Sequence, residues 1–230
     1  MTPPAEPIRL SIDASTYTGS AAVLRGNTLL TERTAPMRGA TSEHLTPTVA
    51  GALRDAGVQP GELAEVVCGA GPGSFTSLRI AGSVAKGIAF ARSIPLRAVS
   101  SLVLMVAALD PLPAAGRYLA LLDALRGEAY AQLVEIGGSD AGDARVFPAG
   151  DPVRVAEADV ASLADSLGAT TVGHGRAIDA APRARGVARL GALLATSGVV
   201  DLASWEPNYG RLAEAQVKWE AAHGRPLPQR

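Results

Sequence analysis

Two short apolar segments, about half a chain apart, end in the same dipeptide. Leu10-Ser11-Ile12-Asp13-Ala14-Ser15 and Leu121-Leu122-Asp123-Ala124-Leu125 each read as a buried strand closing on Asp-Ala, followed by a turn and an alternating strand. Internal repeats constrain a fold more than any single element does, and a strand–turn–strand unit opening each half is what a duplicated, two-lobed α/β chain displays. Two apolar strands ending in Asp also arise by chance, so the echo alone leaves the fold open.

The segments between support an α/β reading. Ile8–Ser15, Ser20–Leu24 and Thr28–Thr34 form an antiparallel meander joined by tight turns. A helix follows over Ser42–Ala56, with Leu45, Val49, Ala52, Leu53 and Ala56 at helical spacing, Ser42 as N-cap and Gly57 as the stop. Pro47 leaves a second reading, a late start at Thr46 with the proline in the first turn. Leu63–Cys68 is a continuous apolar run, hence a strand covered on both faces. The loop Gly69-Ala70-Gly71-Pro72-Gly73-Ser74 then opens a helix over Phe75–Ala91. A strand over Ile94–Val99 and a helix from Ser100-Ser101 to Leu109 complete the first lobe, residues 1–109. Asp110-Pro111-Leu112-Pro113 marks the boundary of a second, smaller lobe, residues 110–230. It carries strands at Tyr118–Asp123 and Glu128–Ile136, a loop over Gly137–Gly142, a helix at Glu157–Leu167, a strand at Thr170–Gly173 and a last long helix at Arg183–Ala195. From Trp205 the periodicity fades, and the tail Gly224–Pro228 is expected to be mobile.

Composition excludes several classes. A net charge of −1 argues against a direct grip on RNA phosphates, so contact with RNA is expected to be indirect. The cluster Arg176, Arg183, Arg185 and Arg189 reads as a solvated face, with tRNA contact as the alternative. The single cysteine, Cys68, cannot form an internal disulfide and stands in an apolar strand as a core residue, in keeping with a reducing cytoplasm. The start, Met1 to Pro7, is not expected to act as a signal peptide, because no apolar stretch follows a basic start, and no segment approaches a membrane span, so a cytoplasmic protein is expected. Positions four residues from His44 are Ala40 and Thr48, His174 and His223 are remote, and no His-Glu-x-x-His occurs. No metal is expected, and His44 reads as a surface or cap residue.

The block Gly71-Pro72-Gly73-Ser74-Phe75-Thr76-Ser77-Leu78-Arg79-Ile80-Ala81 resembles the signature of the TsaB family of bacterial threonylcarbamoyladenosine biosynthesis proteins. Ile12-Asp13-Ala14-Ser15, Ser42-Glu43-His44-Leu45, Lys86-Gly87, Val99-Ser100-Ser101-Leu102 and Asp123 to Tyr130 are similar to it too, as is Glu206 to Arg211 near the end. The likeness is dense over roughly the first 130 residues. Ser77 and Ala81 replace usual glycines, Leu125 a usual arginine and Gly210 a usual leucine. The resemblance implies an actin/hexokinase/heat-shock ATPase-like fold, a duplicated ribonuclease H-like architecture. It also implies a non-catalytic scaffold. Such a scaffold pairs with a catalytic paralogue of TsaD type and an ATPase of TsaE type. That complex installs threonylcarbamoyl on N6 of the adenosine beside the anticodon of tRNA.

The residue chemistry bears on that expectation. Backbone N–H groups of a glycine loop opening a helix can cradle phosphate, but Pro72 removes one donor and no lysine follows Gly73. In active kinases of this fold, aspartates at strand ends hold magnesium or act as base. Asp13 and Asp123 stand in such places, but bulky Leu125 and Arg126 follow Asp123 where a phosphate needs close backbone approach. The reading is a degenerate nucleotide cleft of Asp13, Ser15, Gly71, Gly73 and Ser74, with no catalytic residue and no cofactor beyond weak nucleotide binding. Asp13 alternatively caps a turn.

A partner surface is expected on the two first-lobe helices, through His44, Val49, Leu53, Arg79, Ala81, Ala85 and Gly87. Ala81, Ala85 and Ala89 lie one turn apart, with Ser83, Gly87 and Ala91 on the neighbouring stripe, and small residues let another helix approach. The same patch would make a homodimer when the partner is absent. The competing readings are a small-molecule kinase or ATPase of the same fold and a metallopeptidase-like hydrolase, which the histidines argue against.

Overall fold

The computed structural model describes residues 6–37, 44–138, 145–210 and 223–224. Its first sheet comprises β1 (Ile8–Asp13), β2 (Thr18–Arg25), β3 (Thr28–Pro36), β4 (Leu63–Gly69) and β5 (Leu96–Val99), in the order β3-β2-β1-β4-β5. β1 and β4 are covered on both faces, so their sequences run apolar without strict alternation. One face carries α1 (Leu45–Asp55) and α2 (Phe75–Arg92), whose Leu45, Val49, Ala52, Leu53, Ala81, Ala85 and Ala89 pack on Leu10, Ile12 and Val66. Against the other face lies α3 (Ser101–Ala107), every residue of it buried, which joins Leu24 and Val67 to Tyr118, Ala120 and Val134 of the second sheet.

That second sheet contains β6 (Gly116–Asp123), β7 (Glu128–Gly137), β8 (Arg145–Pro148) and β10 (Thr170–Val172), ordered β10-β6-β7-β8, with β9 (Val153–Ala156) also paired to β7. α4 (Val160–Leu167) covers its outer face, and α5 (Gly191–Thr196) follows. The echo between the halves is a repeat of topology. β1 lies between its antiparallel hairpin partner β2 and the parallel strand β4. β6 lies between its hairpin partner β7 and the parallel strand β10. A helix, α1 or α4, precedes the parallel strand in each half.

Four expectations are corrected. α1 begins at Leu45, so Pro47 falls in the first turn, where its missing N–H removes no helical bond; Ser42 lies outside the described residues, and His44 is the N-cap without a side-chain bond. The last long helix divides into a 3-10 segment, Ala184–Arg189, and the short α5. Here packing overrides periodicity: a Cβ at Gly186 would lie 2.5 Å from the Leu104 carbonyl oxygen of α3, and Ala184 N donates to Ser20 Oγ at 2.8 Å. The 3-10 turn Glu157–Asp159 precedes α4, and the strands β8 and β9 were not anticipated.

Three arginines of the cluster, Arg183, Arg185 and Arg189, are structural in place of a solvated face. Arg183 donates from Nε and Nη2 to the buried Glu32 carboxylate (3.3 and 2.8 Å), Arg185 donates to Ala108 O (3.1 Å), Arg189 to Ala107 O (2.9 Å), and Arg176 pairs with Glu157. The bonds of Arg183, Arg185 and Arg189 tie the second half of the chain to α3 and the first sheet, whereas the Arg176–Glu157 pair is exposed and lies within the second half. Cys68 is buried, and burial pushes its thiol well above the usual range. Among the described residues, no helix is long and apolar enough to cross a membrane. The expectation for the tail beyond Gly224 concerns residues outside those described.

Candidate functional site: a glycine loop closed on its own aspartate

β1 carries Asp13 to the foot of the glycine loop, where α3 also begins. The Asp13 carboxylate is buried, and both its oxygens are occupied by protein donors. Oδ1 accepts from Ser15 N (3.0 Å) and Ser15 Oγ (2.9 Å), and Oδ2 accepts from Ser101 Oγ (2.6 Å). Burial raises its pKa while the Ser101 and Ser15 donors pull it down, and burial prevails. The carboxylate fits only because position 69 has no side chain. A Cβ on Gly69 would overlap Oδ2, with Asp13 Cγ 2.8 Å and Ser101 Oγ 3.0 Å away. Asp13 thus caps the turn, with both carboxylate oxygens accepting from donors within the chain. Asp123 makes the same local bond, accepting from Leu125 N at 2.6 Å, but on the surface. The turn after it holds Leu125 and Arg126 at φ 62° and 59°, a conformation unfavourable to bulky side chains.

Three amides of the loop bond within the protein. Ala70 N donates to Val99 O (2.7 Å), Gly71 N to Ser101 Oγ (3.1 Å) and Ser74 N to Ser15 O (2.7 Å), while Pro72 has no N–H. Gly73 presses on Ser15, whose carbonyl carbon is 2.8 Å from where a Cβ would stand. Ser74 shares its hydroxyl with Ser77 Oγ (3.1 Å) and leaves the first turn of α2 without a side-chain cap. The five residues expected to line a cleft, Asp13, Ser15, Gly71, Gly73 and Ser74, are thus brought together, but closed upon one another. The amides of Ala70, Gly71 and Ser74 are taken up by these internal bonds, while the first turn of α2 has no side-chain cap. Sequence reading missed Gly69 and Ser101. The pair Ser100-Ser101 held a signal: Ser100 Oγ already caps α3 by accepting from Leu102 N (3.2 Å), so the second serine was free for another task.

The helix faces require correction. Val49, Leu53, Ala81 and Ala85, expected at a partner surface, point into the core of the first lobe and are between 0 and 7% exposed. His44 is half-buried at the start of α1, where Thr48 Oγ1 donates to its carbonyl (2.8 Å); Arg79 and Gly87 are exposed. The outward stripe of α2 is Thr76, Ser83, Gly87 and Phe90, the last 77% exposed. Among the described residues, no group of three or more His, Cys, Asp or Glu side chains is arranged to hold a metal.

A duplicated sheet unit around a buried α3, with an aspartate at each leading strand end, defines an α/β protein of the two-lobed actin/hexokinase/heat-shock ATPase-like class. Comparison with known proteins carries this further. The family model described as TsaD, tRNA N6-adenosine threonylcarbamoyltransferase, matches residues 37–157, and the chain belongs to that family, as a TsaB/YeaZ-like member. It is 35% identical over 131 residues to the tRNA threonylcarbamoyladenosine biosynthesis protein TsaB of Bacillus subtilis (55% of this chain, 54% of that protein). It is 32% identical over 126 residues to the protein of the same name from Haemophilus influenzae (53% and 51%). The chain spans about half the length of the curated relatives it matches. A crystal structure of a Pseudomonas aeruginosa protein with similarity to the peptidase YeaZ superposes with a TM-score of 0.73 at 25% identity, covering 89% of this chain and all of that one.

Proposed function

We propose that this chain is a non-catalytic scaffold subunit of the machinery that places threonylcarbamoyl on N6 of the adenosine beside the anticodon of tRNA. The observation that carries the reading is the closed glycine loop: three amides and a buried carboxylate that a working nucleotide site would turn outward are bonded within the chain. The names of the B. subtilis and H. influenzae relatives support the pathway. The partners in this reading are a catalytic paralogue of TsaD type and an ATPase of TsaE type, in the cytoplasm, with tRNA contacted through the partner. No cofactor and no metal are required. The partner docks on the outward stripe of α2, Ser83, Gly87 and Phe90, because an aromatic 77% exposed beside small residues suits a helix laid against it. In isolation the same stripe pairs two copies of the chain. Deleting the gene should lower threonylcarbamoyladenosine in tRNA, while the purified chain alone neither modifies tRNA nor turns over ATP. Normal modification in the deletion strain would refute the pathway; steady ATP turnover by the pure chain would favour the kinase or ATPase reading.

A further inference from the structure

After α5 the chain returns to the first lobe. Val200 N donates to Leu96 O on the edge strand β5 (2.9 Å), and Leu202 and Trp205 pack on the core beneath α2. Pro207 is buried against Gly82, where a Cβ would stand 3.2 Å from Pro207 Cγ and 3.6 Å from Trp205 Cζ3. Lys86 Nζ lies 5.7 Å from the Trp205 ring centre. Asn208 N then donates to Ala70 O (2.7 Å), and its carbonyl carbon would lie 3.3 Å from a Cβ on Gly71. Tyr209 meets Phe75 with ring centres 4.5 Å apart. From the second sheet, Tyr130 Oη on β7 donates to Tyr209 O (3.3 Å), and Gly210, at φ 66°, lies so close to that ring that a Cβ would overlap it.

We propose that residues 205–210 are a latch that holds the two lobes together across the glycine loop. The segment is bonded to the loop through Asn208 and to β7 through Tyr209, so it cannot stay in place while the lobes separate. Two-lobed folds of this kind open and close by bending at a few residues, and a segment fastened to both sides removes that freedom. Three glycines make the seat: Gly71 and Gly82 admit the latch on the first lobe, and Gly210 lets it pass Tyr130. The inference stands independently of the proposed function.

Hydrogen exchange of the full-length chain, read by mass spectrometry, tests it. Gly82→Leu places a wedge under Pro207 and Trp205 while favouring helix in α2. The expected result is an unchanged far-UV spectrum with exchange about ten-fold faster or more in residues 205–210, in the loop 69–74 and in β7 around Tyr130. Exchange in α1 should not change, and Ala161→Leu, on the exposed side of α4 and clear of the segment, should leave all three regions at the parental rate. If residues 205–210 are released in Gly82→Leu but the loop and β7 keep their protection, the latch is merely local packing and the proposal fails. Should Gly82→Leu not fold, Tyr130→Phe decides: losing one hydrogen bond should speed exchange in the segment and the loop about five-fold, and unchanged rates overturn the proposal.

Discussion

Gly69→Ala adds one methyl group where the structure leaves no room for it. The new Cβ would overlap Asp13 Oδ2 and press on Ser101 Oγ, and the surrounding residues are buried, so neither group has anywhere to go. Moving the carboxylate breaks bonds from Ser15 N, Ser15 Oγ and Ser101 Oγ. A typical hydrogen bond contributes about 0.5–1.5 kcal/mol, and overpacking a core costs about 1–3 kcal/mol. With part of the network surviving, the expected loss is about 3–5 kcal/mol, a large share of the ~5–15 kcal/mol that holds a domain folded. Gly87→Ala is the same chemical change in open space: no atom lies within 4 Å of its Cβ, and in a helix interior it should stabilise by about 0.5–1 kcal/mol. Equilibrium urea unfolding followed by circular dichroism measures both. A double-mutant cycle isolates the cause, because in an Asp13→Ala background the Gly69→Ala penalty should fall to about 2 kcal/mol or less. The reasoning is refuted if Gly69→Ala unfolds within about 1 kcal/mol of the parent, or if its penalty is the same with Asp13 removed.

Asp13 also sets a pH dependence. Its pKa is raised in the folded state by burial, so folding favours the protonated form, and stability falls as pH rises from the ordinary carboxylate value through the folded one. Asp13→Asn should therefore gain on the parent as pH rises above the ordinary carboxylate value of about 4 in urea unfolding; parallel curves would contradict this. Gly87→Arg and Phe90→Asp should stay folded yet lose the catalytic paralogue in a pull-down, whereas Ala85→Arg, which places a charge in the core, should fail to fold. Retention of the paralogue by both folded variants would move the docking surface elsewhere. The Cys68 thiol should react with a soluble disulfide reagent only at the rate of global unfolding, because it is buried and burial disfavours the thiolate; rapid labelling in native buffer would overturn that.

Much of the first lobe was readable because its signals are local and strong. The meander of β1–β3, the apolar β4 and the capped α3 each follow from spacing and turn chemistry, and the Asp-Ala echo proved to be a repeat of sheet topology. The gathering of Asp13, Ser15 and the loop was legible as well, since all stand at strand ends on one edge. What escaped depends on contacts distant in sequence. α2 carries small residues on both its inner and outer stripes, Ala81, Ala85 and Ala89 against Ser83, Gly87 and Ala91, so size alone does not tell which faces the core. The break at Leu190 is imposed by the close approach of Gly186 to α3, which no helical pattern encodes. β8 and β9 have four residues each, several exposed, and pair only because β7 is long enough to take both. Gly69 is one of three glycines in the loop by sequence, and only the fold brings the Asp13 carboxylate into the space that its missing side chain leaves.

The order in which the ribosome delivers this chain matters to its folding. The first sheet is complete as a set of strands by Val99, but its edge strand β5 waits for Val200, the Glu32 carboxylate waits for Arg183, and Ala70 waits for Asn208. Bonds that span more than a hundred residues are slow to close, and a nascent chain that has passed Asp123 still shows water the apolar surface that residues 184–194 later cover. A chain stopped short of Arg183 therefore carries a finished sheet with an unguarded edge and an uncovered core, the form most exposed to self-association during synthesis. Emergence of residues 183–208 from the exit tunnel is the event that ends this exposure.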